Sequence, residues 1–187
     1  MFNYLKKIFS IFLIFNLTFV TSAQAVPTVV DAFDVSAQEN AGDVTFNNDG
    51  SKMFVVGTTN NSVVEYNLAN KFDVSTASFT QTFSVNAQED NPTGLAFNNN
   101  GSKMFVIVTA GDDVNEYTLT NGFDISTASF VDAFSIAAQE TFARDVSFNN
   151  DGTRMYVAGD AGNDITQYNL STGFDVSTAV LDDFNAD

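Results

Sequence analysis

The chain has 187 residues, 23 acidic side chains against seven basic ones and a formal net charge of −16, with neither cysteine nor histidine. That balance repels nucleic acid and anionic lipid, and the missing residue types exclude a disulfide framework, a thiol nucleophile, a histidine base and the best zinc ligands. The length allows one domain with a sizeable core.

Residues 1–25 read as a signal peptide. Lys6 and Lys7 form a positive start, Ile8 to Val20 is apolar except for Ser10, Asn16 and Thr18, and Ala23-Gln24-Ala25 supplies a small-x-small cleavage pattern. The apolar run is too short to span a bilayer comfortably, and no later stretch approaches the ~20 apolar residues that spanning requires. The expectation is an exported chain with no membrane span, located in the periplasm, at the cell surface or outside the cell. Beyond Ala25 it keeps Lys52, Lys71, Lys103, Arg144 and Arg154 against all 23 acids, a net charge of −18.

A leading strand is expected over about 28–37, because Val29 to Ala37 (VVDAFDVSA) matches VDAFSIAA at Val131 to Ala138. Then a 51-residue unit appears three times. FNNDGSKMFVVG from Phe46 returns as FNNNGSKMFVIV from Phe97 and as FNNDGTRMYVAG from Phe148. The flanks follow: EYNL, EYTL and QYNL carry Tyr66, Tyr117 and Tyr168, and FDVSTA-type segments begin at Phe72, Phe123 and Phe174.

Each unit reads as four short strands. Asp43 to Asn47 alternates, with Val44 and Phe46 on one face, and Asn48-Asp49-Gly50 is hairpin chemistry. Lys52 to Gly57 is continuously apolar, as a strand covered on both faces should be. Val64, Tyr66 and Leu68 share a face of the third strand, and a fourth runs from about Ala77 to Val85. Asp73, Asp124 and Asp175, each followed by Ser and Thr, read as caps of a turn. Meanders with a sandwiched second strand must stack on neighbours, and periods of this length with four strands are propeller blades. The expected fold is all-β: three four-stranded antiparallel blades at about 43–85, 94–136 and 145–185.

The DG-x-[KR]-M-[FY]-V core, the [EQ]-Y-x-L strand and the FDVSTA loop together resemble bacterial propeller repeats of the YVTN and WD40-like kind. The second copy departs from it with Val108 where the others carry Gly57 and Gly159, and no Trp-Asp dipeptide is present. The resemblance implies a blade fold and leaves activity open, since such propellers include lactonases, scaffolds, lectins and surface-layer proteins. Propellers normally close with four to eight blades. Thirteen strands, including a leading strand with no vacancy to fill, suggest the front part of a longer, incomplete propeller. The alternative is two chains in a six-bladed ring. An open array of three blades exposes apolar faces and invites self-association.

Positions identical in all copies serve the shared fold, whereas positions that differ are free for a site. The differences cluster in the loops from strand four to strand one (Asn40 to Asp43, Asp90 to Gly94, Thr141 to Asp145) and from strand two to strand three (Thr58 to Ser62, Thr109 to Asp113, Asp160 to Asp164). Both sets are expected on one side of the disk. Candidate ligand-binding residues there are Asp43, Asp90, Asp112, Asp113, Phe142, Arg144, Asp145, Asp160, Asn163 and Asp164, in an acidic face that also counts Glu39, Glu89 and Glu140.

Clustered carboxylates suit Ca²⁺, which takes six to eight oxygens. No segment has the spacing of a calcium loop, the nearest being Asp160 to Asp164, and no cofactor is evident. Paired acids about 5 to 9 Å apart can hydrolyse glycosides, but in so acidic a chain some pair always fits. The sequence therefore points to a noncatalytic exported propeller that recognises a protein, a glycan or a surface polymer through its loop face. The alternative is a propeller-type hydrolase or lactonase whose active residues lie partly in further blades.

Overall fold

The computed structural model describes residues 31–88 and 90–182. Within them the chain forms twelve strands in three four-stranded antiparallel sheets. Blade 1 comprises β1 (Ala41–Phe46), β2 (Lys52–Gly57), β3 (Ser62–Leu68) and β4 (Ala77–Ser84). Blade 2 comprises β5 (Pro92–Phe97), β6 (Lys103–Val108), β7 (Asp113–Leu119) and β8 (Ala128–Ser135). Blade 3 comprises β9 (Ala143–Phe148), β10 (Arg154–Gly159), β11 (Ile165–Leu170) and β12 (Ala179–Leu181). Each sheet is ordered as in the chain, a simple meander.

Local chemistry explains the turns. Gly50 sits at φ 71°, and a Cβ there would lie 2.2 Å from the ring of Phe72, so the Asn-Asp-Gly turn needs glycine for both its backbone and its packing. Asp49 accepts from the amide and hydroxyl of Ser51. In the FDVSTA loop, Asp73, Asp124 and Asp175 cap a short 3-10 turn by accepting from the amides and hydroxyls of Ser75, Ser126 and Ser177. Those hydrogen bonds hold the carboxyls of Asp73 and Asp124 below the usual aspartate range, the bond from the neighbouring serine contributing most.

The blades stack face to face. Phe54, Val56, Val63 and Val85 of blade 1 pack on Met104, Val106, Tyr117, Leu119 and Ile125 of blade 2. One period later Phe105, Ile107, Val114 and Ile136 pack on Met155, Val157, Tyr168, Leu170 and Val176. Both faces of the second strands β2 and β6 are therefore buried, which is why those strands are continuously apolar. Each large side chain so buried contributes about 1.5–3 kcal/mol.

A polar latch accompanies each interface. Buried Glu65 pairs with Lys52 at 2.7 Å and accepts from the Ile125 amide of the next blade, while Lys52 donates to the Phe123 carbonyl at 2.6 Å. Glu116, Lys103, Val176 and Phe174 repeat the arrangement between blades 2 and 3. The turns lock as well, with Asn48 Nδ2 donating to the Asn99 carbonyl and Asn99 Nδ2 to that of Asn150.

Three expectations about strands change. Residues 31–35 form no strand, and 26–30 lie outside the described residues. The leader nevertheless packs like a fourth strand: Phe33 meets Tyr66 edge-on at 5.3 Å, as Phe83 meets Tyr117 at 5.4 Å and Phe134 meets Tyr168 at 5.2 Å. Among the described residues no strand pairs with it, so only the packing half of that role is seen there. The inner strands begin earlier than Asp43 and its counterparts, at Ala41, Pro92 and Ala143, because a one-residue bulge lets each of these pair as well. The last blade's fourth strand, expected to reach Asn185, is described as far as Leu181, and 183–187 lie outside the described residues.

Candidate functional site

Backbone hydrogen bonds join the two variable loop sets within each blade. Thr58 donates to the Asn40 carbonyl, Thr109 to that of Asn91 and Asp160 to that of Phe142, so both sets lie on one side of the blades as expected. Two glutamates of the recurring Gln-Glu pair tie these loops together. Glu39, 1% exposed, accepts from the Thr59 amide at 2.8 Å, the Asn60 amide at 3.1 Å and the Ser62 hydroxyl. Glu140, also 1% exposed, accepts from the amides of Phe142 at 2.6 Å, Ala161 at 3.0 Å and Gly162 at 3.3 Å. Burial pushes the Glu140 carboxyl up, but these amides outweigh it and hold its pKa below the usual glutamate value.

That corrects the sequence reading of Glu39 and Glu140 as part of an exposed acidic face. They are internal anchors that satisfy loop amides. Glu89 lies outside the described residues. The signal that could have identified them was already present, since Gln-Glu recurs in every copy and recurring positions serve the fold.

The predicted site residues separate into four places. On the rim of blade 3, Arg144 Nε and its terminal nitrogen bond Asp160 Oδ2 at 2.8 and 2.5 Å, while Phe142 stands 56% exposed. Asp164 is exposed in the same loop, and Asn163 holds its left-handed corner at φ 53°. Asp112 takes the equivalent corner in blade 2 at the same angle, with Asp113 opening β7 beside it, and Asn61 does so in blade 1. Asp112 and Asn163 are thus turn formers, since Asn and Asp tolerate positive φ better than most residues. At the junction of blades 1 and 2, Asp90 accepts from Asn61 Nδ2 at 3.0 Å.

The fourth place is central. The inner strands β1, β5 and β9 line a cavity of about 350 Å³ with Asp43, Leu95, Phe97, Asp145 and Phe148 on its wall. Asp43, Gly94 and Asp145 are successive copies of one repeat position. Gly94 is required there, because a Cβ would come within 2.8 Å of the Arg144 carbonyl oxygen and the Asp145 Cα. Asp43 accepts from the Val44 amide at 2.7 Å and from the Leu95 amide at 3.0 Å. Among the described residues Asp145 accepts from its neighbour's amide alone, Val146, at 2.8 Å. Solvent reaches Asp145, yet the surrounding protein first, and the charge of Asp43 second, raise its pKa above the usual aspartate value.

Among the described residues, no group of three or more acidic side chains converges as a cation site would need. No helix among them is long and apolar enough to cross a membrane. One polar residue escaped the sequence reading: Asn115 is 2% exposed with Nδ2 unpartnered, at the position Val64 holds in blade 1.

No protein-family model and no curated protein matches the sequence. Solved structures do share its fold. A Bacteroides fragilis protein provisionally described as a 6-phosphogluconolactonase is 18% identical over 76% of this chain and 37% of its own, with a TM-score of 0.53. Its Bacteroides uniformis counterpart is 15% identical over 74% of this chain and 38% of its own, also at 0.53. Hydrazine synthase of Kuenenia stuttgartiensis is 17% identical over 84% of this chain and 38% of its own, at 0.56. The chain thus spans under two fifths of the length of these neighbours. At such identities the likeness establishes the fold, blades of a β-propeller, and leaves activity open.

Proposed function

We propose that the chain is an exported propeller module that binds a protein, glycan or surface polymer through its loop face, with the blade 3 rim as the contact. The observation that carries this reading is the contrast within one loop pair. Glu140 fixes the backbone of both loops from beneath, while Phe142, Arg144 and Asp160 above it differ from their counterparts in both other blades and reach solvent. An exposed aromatic ring beside a planar guanidinium is a suitable platform for a sugar ring or a peptide side chain. Rigid loops lower the ordering cost of binding.

Glycan arrays, and pull-downs with purified surface polymer, test the reading. Binding should fall at least tenfold in Phe142→Ala and Arg144→Ala and persist in Asp73→Ala, whose hydrogen-bond partners Ser75 and Asn70 lie in its own turn on the opposite rim. Binding that is lost with the turn variant but not with the rim variants overturns it. The exported state rests on residues 1–25, and the mature protein should begin at Val26 when its first residues are sequenced.

A second reading is a hydrolase centred on the inner cavity. Asp145 supports it, as a carboxyl with raised pKa facing a second carboxyl is a reasonable proton donor. Turnover of lactones or glycosides that disappears in Asp145→Asn would favour this class. An inactive protein, with and without divalent metal, removes it.

A further inference from the structure

Two side-chain amides stitch blade 1 to blade 2. Gln81, on the outer strand β4, donates from Nε2 to Glu65 Oε2 at 2.7 Å and across the junction to Asp124 Oδ1 of blade 2 at 3.0 Å. Asn61 donates to Asn86 Oδ1 at 3.1 Å and to Asp90, and its Oδ1 accepts from the Asn91 amide at 3.1 Å. The second set ties the β2–β3 turn to the connection that leads into blade 2.

One period later both positions are aspartate, Asp132 and Asp112. An ionised carboxylate has no hydrogen to donate. Asp132 stands directly across the β7–β8 ladder from Glu116, as Gln81 does from Glu65. Like charges so placed are destabilising. Blade 3 again opposes an amide to an acid, with Gln167 donating to Asp182, so of the three blades blade 2 alone sets two acids against each other there. Asp112 Oδ1 is buried with no donor, and the Phe142 amide, counterpart of the Asn91 amide, goes to Glu140 instead.

The inner side of the same junction is held. Thr93 Oγ1 on β5 donates to the Ala143 carbonyl on β9 at 2.9 Å, and Thr109 Oγ1 reaches that carbonyl at 3.3 Å. In blade 1 the counterpart of Thr93 is Gly42, which has no side chain to do so.

We propose that the junction between blades 2 and 3 is a hinge, at which blade 3 swings about the β5–β9 contact and the outer strands part while the blade 1–2 junction stays shut. Opening lets water solvate the opposed Glu116 and Asp132 and the orphaned oxygen of Asp112, so it relieves a cost. The same motion between blades 1 and 2 would break the Gln81 and Asn61 bridges. Hinges of this kind turn on a few residues at element ends, where Thr93 and Ala143 lie. This inference does not depend on what the loop face binds.

Two matched amides report on the junctions. Ile125 donates to Glu65 Oε2 at 3.3 Å and Val176 to Glu116 Oε2 at 3.0 Å, each across its junction, and both residues are fully buried. In hydrogen exchange followed by NMR on the whole chain, Val176 should be at least about tenfold less protected than Ile125. Asp132→Gln gives the second junction the residue of the first and should slow Val176, further when combined with Asp112→Asn, without changing Ile125. The reverse change, Gln81→Asp, should speed Ile125. Equal protection of the two amides overturns the proposal, and so does an Ile125 amide indifferent to Gln81→Asp. A Val176 amide that stays as fast in the double variant overturns it as well, since the difference would then belong to blade 3 itself and not to its junction.

Discussion

Phe105 and Tyr156 occupy the same place in successive repeats and live in different surroundings. Phe105 is fully buried, packed on Phe148 with ring centroids 4.4 Å apart. Tyr156 is half-buried at the face of blade 3 on which, among the described residues, no following blade packs. The difference shows that a repeat position acquires its energetic weight from the next blade and not from its own strand. Blade 3 also replaces the Glu-Lys latch by Gln and Arg. Chemistry and exposure change together at that face.

The sharpest way to break this comparison is to truncate both rings. Phe105→Ala should cost about 3–5 kcal/mol of unfolding free energy, the range for a large aromatic removed from a packed core. Tyr156→Ala should cost well under half of that when unfolding is followed in urea. Equal losses would mean that the two positions are equally packed. The latch is next in size. Glu116→Ala removes a buried carboxylate from Lys103 and from the Val176 amide and should cost about 3 kcal/mol, whereas Gln167→Ala should shift the midpoint far less.

The loop anchor gives a smaller effect with a pH signature. Glu140→Ala leaves three amides without their acceptor and should cost about 1–3 kcal/mol. Because the folded pKa of Glu140 lies below the usual glutamate value, its stabilisation is fully present above that value and is lost as pH falls through the folded pKa. Glu140→Gln should therefore lose stability at neutral pH and show a flatter decline in acid. An unaltered acid limb in the urea midpoints would contradict this. Smallest is Asn115→Val, which gives blade 2 the residue of blade 1 and removes an unpartnered buried donor; a gain of about 1 kcal/mol is expected.

Much of the architecture was legible in the chain because it is written locally and repeated. The bounds of β2 follow from its continuous apolar run, the role of Gly50 from Asn-Asp-Gly, and the caps at Asp73, Asp124 and Asp175 from the serine two residues on. The site was less legible. Asp112 and Asn163 stood out as polar loop residues although their conformation is what the turn requires. Glu39 and Glu140 were grouped with exposed acids because nothing in their immediate neighbours reveals loop amides some 20 residues away.

By itself the sequence determined the repeat period, the four-strand unit, the turn chemistry and the apolar faces, since each depends on residues within a few positions of one another. Tertiary structure alone decided which acids lie inside, that Gly94 stands between Asp43 and Asp145 at the inner wall, and that the leader packs as a fourth strand without pairing. Those outcomes depend on contacts between blades, about one 51-residue period apart. There the location of a neighbouring backbone amide or ring, and not the residue's own type, sets whether a carboxylate is an anchor, a charge in a cavity or a surface contact.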